Sequence, residues 1–291
     1  MVGMNRWLLG ARPRTLPAAV VPVALGTAAA VGTSGAVWWR ASLALVVSLA
    51  LQVGVNYAND YSDGVRGTDD VRVGPARLVG GGLASATAVK RAAFAAFGVA
   101  AVAGLVLASV TSWWLLAVGA AAILAAWFYT GGPKPYGYLG LGEIFVFVFF
   151  GLVATVGTTY VVVEKVNAIA WLSGVVAGCL ACALLVVNNL RDIPTDRTVG
   201  KNTLAVRLGD HRTRLFYVAL LFTSMVLLVV MALQGRPGAA LGLVGIVVAV
   251  PAIKAISNGA VGKALIPVLG ATGRVQLVTG LLAAIGIAIS A

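Results

Sequence analysis

The stretch Trp171–Asp196, WLSGVVAGCLACALLVVNNLRDIPTD, joins a long apolar run to a polar, acidic end. Its apolar part belongs to a segment near residues 167–190, and about 20 such residues cross the hydrocarbon core of a bilayer as a helix. In the polar end, Asn188 lies four residues before Asp192, and Asp196 lies four residues after it. Side chains at this spacing share one face of a helix. The stretch therefore predicts a membrane-spanning helix that ends in a cluster of oxygen atoms.

A matching polar end follows an earlier apolar segment near residues 38–60. Carboxylate and amide oxygens are the ligands that Mg²⁺ and Ca²⁺ prefer. One such cluster is compatible with simple solvation among lipid head groups, but two matching clusters predict metal ligation. The first Asp motif, as named here, consists of Asn56, Asp60 and Asp63. The second Asp motif consists of Asn188, Asp192 and Asp196.

The composition indicates that lipid, rather than water, surrounds most of the chain. Of 291 residues, 60% are hydrophobic and 10% are charged, and the mean hydropathy is +0.98. Soluble domains carry about 25% charged residues. We therefore expect an all-α, polytopic membrane bundle that forms one domain over residues 1–291. The nine predicted transmembrane helices lie near residues 14–34, 38–60, 89–110, 113–130, 141–163, 167–190, 211–233, 237–256 and 273–290.

The basic residues predict the orientation of this bundle. The formal charge is +12, and nine helices with a cytoplasmic N-terminus put all but three of the 21 Lys and Arg residues on the cytoplasmic face. The exceptions are Arg40, Lys165 and Arg236. Because this asymmetry follows the positive-inside rule, the basic excess indicates topology and not a nucleic-acid partner. We expect a multi-pass protein of the plasma membrane, with both Asp motifs and a cavity on the cytoplasmic side.

Other reactive side chains favour packing over chemistry. Cys179 and Cys182 lie mid-helix without further zinc ligands nearby, so we expect them to pack against neighbouring helices. His211 is the only histidine, which disfavours Ser/His hydrolysis.

Two local features refine the expected ends of the motif helices. The connection 61–88 is long, carries charges of both signs and follows the first Asp motif directly, which predicts a lid over a site. Pro194 disfavours a helical conformation of Ile193, the residue before it. We therefore expect the second motif helix to break between Asp192 and Asp196.

Basic and aromatic side chains near the motifs predict how a substrate is held. Mg²⁺ commonly takes one or two carboxylates and completes its shell with water and phosphate oxygens, so it is free to bind a diphosphate. Further positive charge is expected from Arg66, Lys134, Arg191 and Lys201. An allylic carbocation left by a departing diphosphate needs apolar or aromatic walls. The candidate aromatic residues are Tyr57, Tyr61, Trp127, Phe128, Tyr129, Phe145, Phe147, Phe149 and Phe150.

The two motifs resemble those of the UbiA superfamily of intramembrane aromatic prenyltransferases. N-x-x-x-D-x-x-D after the second predicted helix pairs with N-x-x-x-D-x-x-x-D after the sixth, which G-K-x-T-x-A-x-x-L-G follows. The likeness covers nearly the whole chain. Four stretches are similar to the branch that acts on 1,4-dihydroxy-2-naphthoate: A-R-P-R-T-L-P, N-Y-A-N-D-Y-x-D-G-x-R-G-T-D-D, Y-T-G-G-P-K-P-Y and N-N-L-R-D-I-P-T-D.

This resemblance implies nine transmembrane helices and transfer of a polyprenyl group from polyprenyl diphosphate to an aromatic acid, with demethylmenaquinone as product and loss of the carboxylate. It implies Mg²⁺ as the cofactor, and we expect two ions. The implied metal ligands are Asn56, Asp60, Asp63, Asn188, Asp192 and Asp196. The residues expected to be catalytic are the four Asp residues of this set and Lys134. The residues expected to hold the substrates are Arg14, Arg66, Lys134, Asn188, Arg191 and Lys201.

One departure from the superfamily pattern affects the first Asp motif. Gly64 stands four residues after Asp60, where the strict pattern has an Asp. Asp63 is therefore expected to bind metal in another geometry. For the acceptor carboxylate we expect a cation, either Arg14 or Lys134.

Three alternatives remain open. The acceptor could be another aromatic acid, 4-hydroxybenzoate or homogentisate. D-x-x-D-G-x-x-G is similar to the metal motif of CDP-alcohol phosphotransferases, although their second Asp pair follows shortly on the same helix. A divalent-cation transporter would need acidic residues near the bilayer centre, whereas these motifs lie at helix ends.

Overall fold

The fold is described for residues 5–68 and 77–291 of a computed structural model, and this part of the chain contains helices and no strands. A short helix, α1 (Arg6–Ala11), precedes nine longer ones. These are α2 (Pro17–Ala30), α3 (Trp39–Arg66), α4 (Ala86–Val110), α5 (Leu115–Phe128), α6 (Gly142–Val163), α7 (Ala168–Thr198), α8 (Leu204–Leu233), α9 (Pro237–Ser257) and α10 (Gly262–Ile289).

Seven of these helices, counted over the described residues, are long and apolar enough to cross a membrane. The other two, α2 and α5, have 14 residues each, about 21 Å of helix, against a hydrocarbon core of about 30 Å. Each of the nine longer helices coincides with a segment predicted from the sequence. The all-α prediction is therefore confirmed, whereas the count of nine spans stays a prediction.

Helix α7, which carries the second Asp motif, is the central element of the bundle. In its most apolar 18-residue window 78% of the residues are buried, against 33% for α4 and α9. It packs along α8 and also contacts α2, α6 and α10. Cys179 and Cys182 are free thiols buried on α7, so the prediction that they pack against neighbouring helices is confirmed.

Small residues allow the helices to approach closely, as is common between helices in membranes. A Cβ added to Gly151 on α6 would lie 2.5 Å from the Cα of Gly178 on α7. A Cβ added to Gly286 on α10 would overlap the backbone of Gly238 at the start of α9. Glycine at these positions therefore sets the distance between helix axes.

Gly286→Ala is expected to destabilise the protein by about 1–3 kcal/mol, because the added methyl group must push α9 and α10 apart. The measurement is thermal unfolding of the purified protein in detergent. Gly270→Ala on the same helix is the matched control, since its Cβ would meet nothing within 4 Å. Equal melting temperatures for both variants would contradict this account of the crossing.

The helices that carry the two Asp motifs extend further than predicted. Helix α3 continues past Asp60 to Arg66 and ends at Gly67, whose φ of 74° is left-handed. Helix α7 continues through Pro194 to Thr198, so the predicted break between Asp192 and Asp196 is wrong. Packing of the buried Ile193 against the core holds this last turn in place. Both Asp motifs consequently lie within helices and not beyond their ends.

Two of the three basic residues predicted to lie away from the cytoplasmic face, Arg40 and Arg236, bind helix ends remote from the Asp motifs. Arg40 donates hydrogen bonds to the carbonyl oxygens of Val161 (3.2 Å) and Val110 (2.8 Å), at the ends of α6 and α4. Arg236 donates to the carbonyl oxygens of Val31 (3.0 Å) and Ile287 (3.3 Å). Both therefore cap helix ends remote from the Asp motifs.

Candidate active site

A cavity of about 680 Å³ runs through the bundle from the Asp motifs toward the opposite helix ends. Its polar end is lined by Arg12, Arg14, Asn56, Asn59, Asp60, Asp63, Arg77, Asn188, Asn189, Arg191 and Lys201. Its apolar arm reaches Ala44 near the start of α3, Leu107 near the end of α4 and Val161 near the end of α6. The cavity thus joins a charged chamber to a long apolar arm.

Asp60 is held by the connection that follows α3. Its Oδ2 accepts a hydrogen bond from the backbone N–H of Leu78 (3.0 Å), and its Oδ1 accepts one from Val79 (3.1 Å). The carboxylate is 1% exposed. Residues 69–76 of the predicted lid lie outside the described residues, but the part from residue 77 onward contacts the motif as expected.

The departure at Gly64 has a steric reason. A Cβ at this position would lie 2.5 Å from the Cβ of Val79 and 3.2 Å from the backbone nitrogen of Gly80. A carboxylate side chain there would displace the segment whose backbone N–H groups bind Asp60. The glycine therefore lets the connection lie directly on α3.

Asp63, one turn further along α3, faces groups from two other segments. Its Oδ1 accepts a hydrogen bond from the hydroxyl of Tyr138 (2.8 Å), and its Oδ2 lies 3.9 Å from the Nζ of Lys201. Burial, and secondarily the charge of Asp63, raise the pKa of the Tyr138 hydroxyl above its usual value. The hydroxyl therefore stays protonated at neutral pH and remains a hydrogen-bond donor to Asp63.

In the second Asp motif, Arg191 binds two members at once. Its Nε and Nη2 donate to Oδ1 (2.7 Å) and Oδ2 (2.6 Å) of Asp192, and Nη2 also donates to Oδ1 of Asn188 (2.9 Å). Such bidentate, charge-assisted pairs are strong and directional. Arg191 is 2% exposed and Asp192 is 6% exposed, so this ion pair is buried.

The two Asp motifs meet in a second, smaller pocket beside the cavity. It is lined by Asp63, Thr68, Asp192, Thr195, Asp196, Val199 and Lys201. Asp63 and Lys201 also line the main cavity. Within the described ranges, no three acidic, His or Cys side chains already form a cluster tight enough to hold a metal ion. Three of the four motif carboxylates therefore line one small pocket, to which Lys201 adds a positive charge.

The remaining predicted site residues occupy different positions. The Nδ2 of Asn56 donates to the carbonyl oxygen of Ala11 (2.9 Å) and to Thr15 Oγ1 (3.1 Å), so it fixes the N-terminal segment. Arg14 is exposed and lines the cavity.

Two predicted cations lie in or beside the connection between α5 and α6. Arg66 is exposed and donates a hydrogen bond to the carbonyl oxygen of Gly132. Lys134 is exposed and lies outside both sets of lining residues, so it has no part in the mechanism proposed below.

Aromatic residues from α6 and from the connection before it form one wall of the cavity. The members of the predicted aromatic set that line it are Tyr129, Phe145, Phe149 and Phe150. Tyr136, which the sequence analysis did not select, also lines it and stacks on Phe145 with ring centroids 3.9 Å apart. Tyr57 instead packs edge-on against Trp7, and Tyr61 stacks on Trp127. The wall begins next to the Asp motifs and continues into the apolar arm.

Sequence reasoning missed two polar contacts of this site. Glu143, near the start of α6, is buried, and its Oε1 accepts a hydrogen bond from Asn189 Nδ2 (2.9 Å). Asn59 Oδ1 accepts a hydrogen bond from Thr130 (2.8 Å). Each Asn lies beside an Asp motif in the sequence, which was the available signal. Tyr138 offered no spacing signal and becomes visible through the fold alone.

This helical bundle, with two Asp motifs above an apolar cavity, is the arrangement of a membrane-embedded prenyltransferase. The chain belongs to the UbiA prenyltransferase family, whose model matches residues 19–264. The resemblance inferred from the motifs is thereby confirmed, and the protein is a multi-pass membrane protein.

Individual relatives show which members of the family this chain resembles. The 1,4-dihydroxy-2-naphthoate octaprenyltransferase of Mycobacterium tuberculosis is 53% identical over 281 residues, covering 97% of this chain and 96% of that protein. The enzyme of the same name from Escherichia coli is 40% identical over 236 residues, covering 76% and 74%. Among solved structures, a UbiA homologue from Archaeoglobus fulgidus bound to DMAPP and Mg²⁺ has a TM-score of 0.65 at 16% identity, covering 98% and 100%. At 16% identity, the similarity to this solved structure shows a shared fold and nothing further.

Proposed function

We propose that this protein transfers a polyprenyl group from polyprenyl diphosphate to 1,4-dihydroxy-2-naphthoate and releases diphosphate and CO₂, giving demethylmenaquinol, the reduced form of demethylmenaquinone. The observation that carries the proposal is the cavity itself, which joins buried carboxylates and cations at one end to a long apolar arm at the other. Such a cavity suits a molecule with a charged head and a hydrocarbon tail. The relatives whose similarity covers nearly the whole chain are named 1,4-dihydroxy-2-naphthoate octaprenyltransferases, which supports this acceptor and a long prenyl chain.

The donor set fits divalent metal ions. Buried carboxylates at a membrane surface are costly without compensating charge, and Asp63 and Asp192 already have Lys201 and Arg191 against them. Mg²⁺ would supply positive charge of the same kind to oxygen atoms of the type it prefers. The residues that would hold two ions are Asn56, Asp60, Asp63, Asn188, Asp192 and Asp196. When bound, Mg²⁺ stabilises the negative charge that grows on the departing diphosphate.

Basic side chains at the polar end would bind the diphosphate together with the metal ions. Arg191 and Lys201 line the cavity from the second motif and the segment after it, and Arg77 lines it from the connection after α3. Guanidinium groups match phosphate oxygens in a bidentate manner. The diphosphate would thus be held from both motif helices while the prenyl chain enters the apolar arm.

The reaction exchanges one carbon–oxygen bond for one carbon–carbon bond. The bond between the prenyl C1 and the diphosphate oxygen breaks, and its electron pair leaves with the diphosphate. The ring carbon of the acceptor that carries the carboxylate then attacks C1 and forms the new carbon–carbon bond. The bond from this ring carbon to the carboxylate breaks, CO₂ departs, and the electron pair of that bond restores the aromatic ring. Tyr129, Phe145 and Phe149 exclude water from the cation and face it with π-electrons. Arg14, at the cavity mouth, is proposed to bind the acceptor carboxylate.

We further propose that nine helices span the plasma membrane, with the N-terminus and both Asp motifs on the cytoplasmic side. The distribution of basic residues supports this orientation. Arg40 and Arg236, which bind helix-end carbonyl groups remote from the motifs, belong to the few cations expected on the outer side. The short helices α2 and α5 would cross by means of the segments that flank them.

Purified protein in lipid nanodiscs is expected to prenylate 1,4-dihydroxy-2-naphthoate at least about tenfold faster than 4-hydroxybenzoate or homogentisate, because the cavity walls must match the acceptor ring. The measurement is product formation by mass spectrometry, with octaprenyl diphosphate, Mg²⁺ and one acceptor at a time. A preference for either of the other acids would reassign the acceptor. Metal flux into proteoliposomes without any diphosphate would favour the transporter alternative.

A further inference from the structure

Tyr138 lies where three segments of the site meet. It belongs to the connection between α5 and α6, and its hydroxyl donates a hydrogen bond to Asp63 Oδ1 on α3 (2.8 Å). Its carbonyl oxygen accepts a hydrogen bond from the backbone N–H of Asn202, in the segment after α7 (3.0 Å). One residue therefore ties the first Asp motif to the segment that follows the second.

The ring of Tyr138 lies against two cations. The Cζ of Arg66 is 5.4 Å from the ring centroid, and the Nζ of Lys201 is 4.8 Å from it. Both distances are within the range of cation–π attraction. Lys201 in turn lies 3.9 Å from Asp63 Oδ2. The Tyr138 hydroxyl thus contacts the carboxylate of Asp63, whereas the ring contacts the two cations.

The hydrogen bond from Tyr138 restricts the orientation of the Asp63 carboxylate but leaves other lone pairs on its oxygens able to bind a metal ion. A carboxylate has about four lone-pair sites on its two oxygens, and Tyr138 takes one of them, on Oδ1. Groups that hydrogen-bond to a metal-ligating side chain orient it, and removing them commonly lowers metal affinity by about 10–100-fold. The half-buried position of Tyr138, between the small pocket and solvent, suits such a role.

We propose that Tyr138 is a positioning residue: its hydroxyl orients Asp63 toward the metal ion, and its ring holds Lys201 and Arg66 where they meet the diphosphate. This inference rests on the function proposed above, which supplies the metal ion and the diphosphate. Tyr138 is not among the residues that line either pocket, so it acts through the side chains that it contacts.

Two substitutions separate the hydroxyl from the ring. Tyr138→Phe removes the hydrogen bond to Asp63 and keeps the aromatic face, whereas Tyr138→Leu removes both. Tyr160→Phe is the matched control, because it also deletes the hydroxyl of a half-buried tyrosine, one that accepts a hydrogen bond from Trp114 Nε1 (3.4 Å) and lines neither pocket. The probes are Mn²⁺, followed by electron paramagnetic resonance, and inorganic pyrophosphate, followed by calorimetry at saturating Mn²⁺.

Tyr138→Phe is expected to raise the Mn²⁺ dissociation constant, measured with pyrophosphate present, by about tenfold, as for loss of one hydrogen bond to a charged group. Its pyrophosphate affinity at saturating Mn²⁺ should stay near that of the wild type. Tyr138→Leu is expected to weaken pyrophosphate binding as well, by about threefold or more, because Lys201 and Arg66 lose the aromatic face. Tyr160→Phe should leave both constants unchanged.

Two results would overturn the inference. The role of the hydroxyl is refuted by Mn²⁺ affinity in Tyr138→Phe that equals the affinity in Tyr160→Phe, or by a wild type that binds no Mn²⁺. The role of the ring is refuted by equal pyrophosphate affinities in the Phe and Leu variants. Failure of the proposed function has a different signature: normal Mn²⁺ and pyrophosphate binding by the wild type without prenylated naphthol as product.

Discussion

Asp192→Asn is expected to lower kcat/KM for prenyl transfer by at least about a thousandfold, an effect comparable to losing a main electrostatic contact with the leaving group. Asp192 lines the small pocket where the two motifs meet, and its carboxylate compensates the buried Arg191. Substitution by Asn leaves that guanidinium without this carboxylate and, under the proposed metal roles, weakens the binding of Mg²⁺. Asp60→Ala should have an effect of similar size from the other motif helix. The measurement is steady-state turnover with octaprenyl diphosphate and 1,4-dihydroxy-2-naphthoate.

Asp210→Asn provides the matched control for Asp192→Asn. Asp210 accepts two hydrogen bonds from Arg214, at 2.6 and 2.8 Å, in the same bidentate manner, yet it lines neither pocket. Its substitution removes an Asp–Arg pair without touching the site. Chelation with EDTA should reproduce the loss in the wild type, and added Mg²⁺ should restore turnover there but not in Asp192→Asn. Turnover within about tenfold of wild type in both motif variants, with normal melting curves, would refute the metal roles.

Much of this fold was accessible from the sequence because the bilayer constrains it strongly. Backbone polar groups in hydrocarbon must be satisfied within a helix, so each long apolar segment predicted a helix and the structure has one at every predicted place. The spacing of Asn188, Asp192 and Asp196 likewise fixed their common helix face in advance. That the two motif helices run in the same direction followed from counting the segments between them.

Helix ends were predicted less well, because long-range contacts decide them. Helix α3 was expected to end near Asp60, at the limit of the apolar residues, but it runs to Arg66. The backbone N–H groups of Leu78 and Val79 and the hydroxyl of Tyr138 compensate the carboxylates along this extra length. Local rules could not reveal those partners, which lie 15 or more residues away.

The same reasoning applies to the connection between α5 and α6, in which Tyr138 contacts Asp63 and Lys134 lines neither pocket. Lys134 was selected for its charge, yet its side chain is exposed and outside the lining residues. Four residues later, Tyr138 turns inward to Asp63 because its carbonyl group is bound to Asn202, beyond α7. Which side of a connection faces the site depends on such contacts between distant segments. Residue type alone therefore selects the connection but not which of its side chains contacts an Asp motif.

The apolar arm of the cavity has glycines in its walls where larger side chains would fit. Gly104 on α4, Gly119 on α5 and Gly157 on α6 all line the cavity, and a Cβ added to any of them would meet nothing within 4 Å. Gly157 lies 14 residues beyond Glu143 along α6, about 21 Å deeper into the bundle. The free volume beside it is therefore out of reach of a short prenyl chain and necessary for a long one.

Gly157→Phe is expected to lower kcat/KM for octaprenyl diphosphate by about a hundredfold, since the new ring fills the arm where the distal isoprene units would lie. With geranyl diphosphate, whose chain ends before this depth, turnover should change by no more than about threefold. Gly98→Phe is the control, because Gly98 is exposed on α4, lines neither pocket and has the same open space at its Cβ. The measurement is competition between the two diphosphates in one reaction, which cancels differences in enzyme concentration. Parallel losses for both substrates would mean that the substitution distorts the Asp motifs. Unchanged turnover of the octaprenyl substrate would mean that its chain leaves the cavity for the lipid before it reaches Gly157.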